Sequence, residues 1–192
     1  RDDLKDWIVP TFSFVLADKN GHIAYQCVGR IPIRNGWDRG YRPGWDPDHQ
    51  WSELVPFEGL PALYDPPEGY VRSANNRTAP EGFPYPLSGT WGSGHRAMRI
   101  RNMIEEKDRL SYDDFVTMQH DMKSLRAVEV MPRLLKILAQ TSDLRIRRAA
   151  EYLKAWDGVM GPDQVAASIF ETFFSKWSYA IVEERFSEDA VS

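Results

Sequence analysis

The stretch TFSFVLADKNGHIAYQCV (Thr11–Val28) decides how the first part of the chain is read. TFSFVLA places Phe12, Phe14 and Leu16 on one side of an extended segment, and HIAYQCV does the same for Ile23, Tyr25 and Cys27. Apolar residues at every second position mark a half-buried strand, because successive side chains point to opposite faces. Between the two runs stands DKNG, whose Asn20-Gly21 pair suits a hairpin turn, since both residues accept the positive φ such turns use. The reading is an antiparallel hairpin. Large apolar residues occupy both of its faces, so two or three such strands stay exposed unless they join a larger sheet.

Downstream, the segment from Arg34 to Pro67 is rich in proline and glycine and carries Trp37, Trp45 and Trp51 without a periodic face. Such a segment needs a scaffold to order it. The next stretch, EGYVRSANNRTAPEGFPYP (Glu68–Pro86), holds a short strand-like run, Tyr70 to Ser73, that ends at Asn75-Asn76 and a proline-rich loop. From His95 the period becomes helical. Ser111 is placed to cap a helix whose first turn holds Asp113 and Asp114, with Phe115, Met118 and Met122 on one face. Pro132 suits the first turn of a helix carrying Leu134, Leu135 and Leu138. Ala149, Tyr152, Leu153 and Trp156 mark a further helix, and Val165, Ile169, Phe173 and Trp177 a last one. The expected class is α+β with segregated elements: a strand and loop portion over residues 1–94 and a helical portion over 95–192.

Composition narrows the function. The 192 residues are 42% hydrophobic, 12% aromatic and 27% charged, which is globular. A net charge of -4 gives no electrostatic footprint for nucleic acid or for an anionic membrane surface. A single cysteine, Cys27, excludes an internal disulfide and reads as a small buried residue. GTWGSGHR is not a phosphate-binding loop, and His22, His49, His95 and His120 lack metal-ligand spacing.

Three groups of residues admit a chemical role. Asp38, Asp46 and Asp48 stand among Trp37, Trp45 and Trp51, which suits either a carbohydrate-active site with paired carboxylates or a loop of solvated acids around tryptophans. A calcium ion held partly by loop carboxylates and carbonyls is a third option there. Arg77, Arg96 and Arg99 form a basic group around the asparagine loop, where surface or ion-paired arginines are the plainer reading. Asn75-Asn76 either closes a turn or holds a donor where a substrate's charge develops, and the residues alone favour the turn.

Taken in order, FSFVLADKNGHIAYQCVGRIPIR, RPGWDPDHQWSELVPFEGLPALYDPPEGYVRSANNR, YPLSGTWGSGHRAMRIRNMI, LSYDDFVTMQHDM and AWDGVMGPDQVAASIFETFF resemble the β chain of the penicillin acylase (penicillin amidase) family over nearly the whole sequence. The resemblance implies an N-terminal nucleophile hydrolase with an αββα core, acting on linear amides through a serine whose own α-amino group is the base. It implies that Asn75 is the side-chain donor of the oxyanion hole, that Arg96 supports it, and that Asn76 keeps the turn.

The chain begins at Arg1 rather than at serine. The expectation is therefore an internal fragment of a β chain, inactive alone, whose nucleophile lies outside it. Its partners would be the remainder of the β chain and the α chain of one precursor, and its substrate a small amide: a penicillin, a cephalosporin or an acyl-homoserine lactone. No organic cofactor is expected, a structural calcium is possible in the full protein, and a periplasmic or extracellular setting is implied. The rival to catalysis is an acylase-like scaffold that binds without turnover.

Overall fold

In the computed structural model, which describes residues 1–34, 41, 43–51, 53–87 and 91–186, strands β1 (Phe12–Ala17) and β2 (Ile23–Val28) form the expected antiparallel hairpin. Phe12 stands opposite Val28 and Ala17 opposite Ile23. The connection is ordered by Asp18, whose carboxylate accepts from the amides of Asn20 at 2.8 Å and His22 at 3.0 Å. Gly21 takes the positive φ, 91°, that a residue with a Cβ adopts only at a cost. Gln26 is the one buried polar side chain among the described residues, and it is satisfied: its Nε2 donates to the Cys27 carbonyl and its Oε1 accepts from Arg1 Nε, both at 2.8 Å. Burial pushes the Cys27 thiol above its usual range, consistent with packing rather than reactivity.

The third strand is not where the sequence placed it. β3 is Ala62–Tyr64, antiparallel to β2 with Ala24 opposite Tyr64, while Tyr70 to Ser73 lies in no ladder. The three residues of β3 are too few to show a period, so this strand is hidden inside a segment that reads as irregular. Val71 instead packs on the cluster of Tyr25, Cys27, Val55 and Leu60. Phe12, Val15, Leu63 and Tyr64 remain half or more exposed. The sheet thus leaves large apolar side chains uncovered within this chain, as the hairpin sequence implied.

Five helices follow: α1 (His95–Glu105), α2 (Tyr112–Gln119), α3 (Leu125–Leu138), α4 (Leu144–Lys154) and α5 (Val165–Arg185). The fold is α+β. Ser111 caps α2 in a reciprocal box: its Oγ accepts from the Asp114 amide, and the Asp114 carboxylate accepts from the Ser111 amide at 2.7 Å. With Lys107 also donating to it, Asp114 is held down to about 2. Met122 lies past the end of α2, where its carbonyl accepts from the Met160 amide at 2.9 Å. Pro132 sits inside α3 and not in its first turn, because Ser124 caps the helix earlier by accepting from the Ala127 amide. Interior proline removes one helical hydrogen bond. Burial of Ala127, Met131 and Leu134 in the helical core offsets that loss.

The helical core joins those three residues to Leu153, Ala166 and Phe170, with Leu135, Leu138, Trp156, Ile169 and Phe173 packed around it. Ala166 and Phe170 lie at its centre, whereas Val165 and Trp177, expected on that face, are about half exposed. By contacts the chain divides into two compact units, Arg1–Ala97 and Met98–Ser192.

Asp65 ties the hairpin to the end of β3. Its carboxylate accepts from the Ile23 amide at 2.9 Å and lies 2.6 Å from His22 Nδ1, while Tyr64 stacks on the imidazole. The hydrogen bond and charge of Asp65 raise the His22 pKa above 6.5, the ordinary value. Since the folded value is the higher one, the stabilisation is complete below about pH 6.5 and is lost as pH rises through the raised value. In an NMR titration, Asp65→Asn is expected to bring the His22 midpoint down toward 6.5. An unmoved midpoint would remove Asp65 as the cause.

Candidate functional site

The asparagine loop is built by side chains bonding to backbone, since no ladder or helix reaches it. Ala74 is buried, and Asn75 adopts the left-handed region at φ 58°. Asparagine is among the few residues with a side chain that tolerate this conformation. The two asparagines then do different things. Asn76 folds its side chain onto its own loop: Oδ1 accepts from the Ala74 amide at 3.1 Å and Nδ2 donates to the Arg77 carbonyl at 2.9 Å. Asn75 is exposed, and its main-chain carbonyl accepts from the Gly92 amide at 2.6 Å.

Arg96 is the second residue of α1. A cation near a helix N-terminus gains nothing from the helix dipole. Its guanidinium turns back to the loop, where Nη2 donates to the Ala74 carbonyl at 3.0 Å and to Asn75 Oδ1 at 2.7 Å. A guanidinium has donors only, so the carboxamide atom facing it must be the oxygen. Asn75 Nδ2 is thereby turned outward, and among the described residues it donates to no protein group. Drawing charge from the amide oxygen also makes the opposite N–H a better donor. The arrangement presents a neutral, oriented donor at the surface of the unit.

The other two arginines of the basic group have separate partners. Arg77 donates to the Pro80 carbonyl at 3.3 Å. Arg99 makes a two-pronged pair with Asp121, at 2.9 and 2.7 Å, and its hydrogen bonds hold the Asp121 carboxyl below the usual range. Only Arg96 meets Asn75. In the tryptophan and acid loop, Trp37 and Asp38 lie outside the described residues. Asp46 is engaged in capping a short 3-10 helix, Pro47–His49, by accepting from the Asp48 amide at 3.0 Å. Trp51 lies under the Arg34 guanidinium. Among the described residues there is no group of three or more His, Cys, Asp or Glu that could hold a metal ion. No described helix is long and apolar enough to cross a membrane.

Nothing in the sequence marks the Gly92 amide as the anchor of the Asn75 carbonyl. The two positions are 17 residues apart, and glycine carries no periodic signal.

Comparison with known proteins supplies the family. The sequence profile of penicillin amidase matches residues 1–191. The chain belongs to the penicillin amidase family. Among its relatives, penicillin acylase 2 proenzyme from a Pseudomonas species is 30% identical over 175 residues, which cover 90% of this chain and 22% of the relative. The acyl-homoserine lactone acylase QuiP of Pseudomonas syringae pv. syringae is 29% identical, covering 86% of this chain and 22% of the relative. The structure of a thermostable penicillin G acylase from Alcaligenes faecalis superposes with a TM-score of 0.72 over 99% of this chain and 36% of that one. At 24% identity that likeness concerns the fold. As a penicillin amidase family chain, this sequence spans about a fifth of the length of the curated relatives it matches. The resemblance read from five segments is thus borne out at the level of the family.

Because Asn76 satisfies two backbone groups of its turn, Asn76→Ala is expected to destabilise the protein by about 1 kcal/mol. Thermal unfolding of the two proteins checks this. An unchanged melting temperature would show that water serves the turn equally well.

Proposed function

We propose that the protein to which this chain contributes is an amidohydrolase that transfers an acyl group from a linear amide to an N-terminal serine outside this chain, and then to water. The observation that carries the reading is the Asn75 carboxamide, with Oδ1 on Arg96 and Nδ2 unspent. The serine hydroxyl attacks the substrate carbonyl while its α-amino group takes the proton. The carbonyl oxygen becomes an oxyanion, and Asn75 Nδ2–H donates to it. Collapse expels the amine, which receives that proton, and water repeats the sequence on the acyl-enzyme.

A carboxamide suits this task because it donates without bringing a charge of its own, so it favours the anion over the neutral ground-state carbonyl. Arg96 contributes at one remove, as a positioning residue that fixes which end of the amide faces the substrate. The relatives' names point to penicillins and acyl-homoserine lactones as substrate classes, and in both the group removed is an acyl chain on an exocyclic nitrogen. The reaction as written needs no organic cofactor. The remaining β chain and the α chain of the same precursor would supply the nucleophile, the acyl pocket and any calcium site, in a periplasmic or extracellular setting.

In the full-length processed enzyme, Asn75→Ala is expected to lower kcat by about 10²–10³-fold, or roughly 2.7–4 kcal/mol, with KM changed much less. Steady-state kinetics on a chromogenic acyl anilide measures both. Arg96→Lys keeps the charge but loses the planar fork, and a fall in kcat is expected there too. Near-normal kcat for a folded, processed Asn75→Ala enzyme would sink the oxyanion role.

A further inference from the structure

We propose that Gly92 is a positioning residue for the Asn75 donor, and that the absence of a Cβ at position 92 sets where that donor stands. The proposal rests on the reading of Asn75 as the oxyanion donor.

Three contacts hold Asn75. The Gly92 amide draws in its main-chain carbonyl at 2.6 Å, and Arg96 grips the preceding carbonyl at 3.0 Å and the side-chain oxygen at 2.7 Å. The left-handed backbone at Asn75 is uncommon for a residue with a side chain, so it persists because these contacts over-determine it. Gly92 itself is not in the left-handed region, so conformational freedom does not explain a glycine there. Proximity does. A Cβ at position 92 would stand 3.2 Å from the Asn75 carbonyl oxygen, 3.4 Å from its Cβ and 3.5 Å from its carbonyl carbon.

The 3.2 Å contact with the carbonyl oxygen is tight and the other two are ordinary van der Waals contacts, and all three are with the residue carrying the donor. The hydrogen bond from position 92 pulls Asn75 inward while an added methyl pushes it out. The strain is relieved by shifting Asn75 by a few tenths of an ångström. A misplacement of about 1 Å costs on the order of 10²-fold in rate, so a shift of this size is expected to cost about tenfold. The loss falls on the transition state, where the donor acts, and not on ground-state binding.

The test is a double-mutant cycle in the full-length processed enzyme, using a chromogenic acyl anilide. Gly92→Ala is expected to lower kcat about tenfold and to leave KM within about twofold. In the Asn75→Ala background the same substitution is expected to change kcat by less than about twofold, because the group it misplaces is gone. An equal loss in both backgrounds, or no loss in either, overturns the proposal while leaving the role of Asn75 standing. Near-normal kcat for Asn75→Ala alone fails the donor reading itself and takes this proposal with it. Should Gly92→Ala not fold, the double variant Gly92→Ala/Asn75→Gly decides the matter. Glycine at position 75 removes the 3.4 Å Cβ contact and accepts the left-handed backbone freely, so the carbonyl at 3.2 Å can give way to the added methyl. Recovered folding supports the contact, and continued failure places the damage elsewhere and overturns it.

Discussion

The site depends on one guanidinium. Arg96 spans two acceptors of the asparagine loop from the start of α1. Among the described residues no strand or helix lies between Tyr64 and His95. A segment of that length has no ladder to define its path, so a few side-chain bonds to backbone must do so. Arg96 suits this because its fork is planar and always charged, and because it leaves an amide oxygen no ambiguity of orientation. The Gly92 amide donates to the same loop, at the Asn75 carbonyl.

This arrangement separates two tasks that adjacent, chemically identical side chains could otherwise confuse. Asn76 commits both ends of its carboxamide to local backbone. Asn75 spends its oxygen on Arg96 and keeps its nitrogen. Of the two, only Asn75 has a positive φ.

The helical unit follows a different economy of forces. Its stability comes from apolar burial around Phe170 and Ala127, supported at helix starts by Ser111, Ser124 and Asp143. The sheet unit has a smaller buried cluster and leaves Phe12, Val15, Leu63 and Tyr64 largely in solvent. A chain that spans about a fifth of its relatives' length is consistent with an apolar sheet face covered by other parts of a larger protein.

Local periodicity and capping chemistry made much of the fold legible before any coordinates. The hairpin, the N-cap at Ser111 and the succession of helices all follow from contacts between residues close in sequence. The family was legible because five segments stood in register. β3 was not, since its three residues show no period, and Pro132 was misplaced because the true start of α3 at Ser124 is a weaker signal than a proline. For the candidate site, the sequence by itself named Asn75 and Arg96, but only through likeness to a family. That Arg96 meets Asn75 while Arg77 and Arg99 do not, and that Gly92 anchors the loop, was decided by tertiary structure alone. The physical reason is that a loop without repeating hydrogen bonds takes its path from a few long-range contacts, and neither their partners nor their distances leave a pattern along the chain.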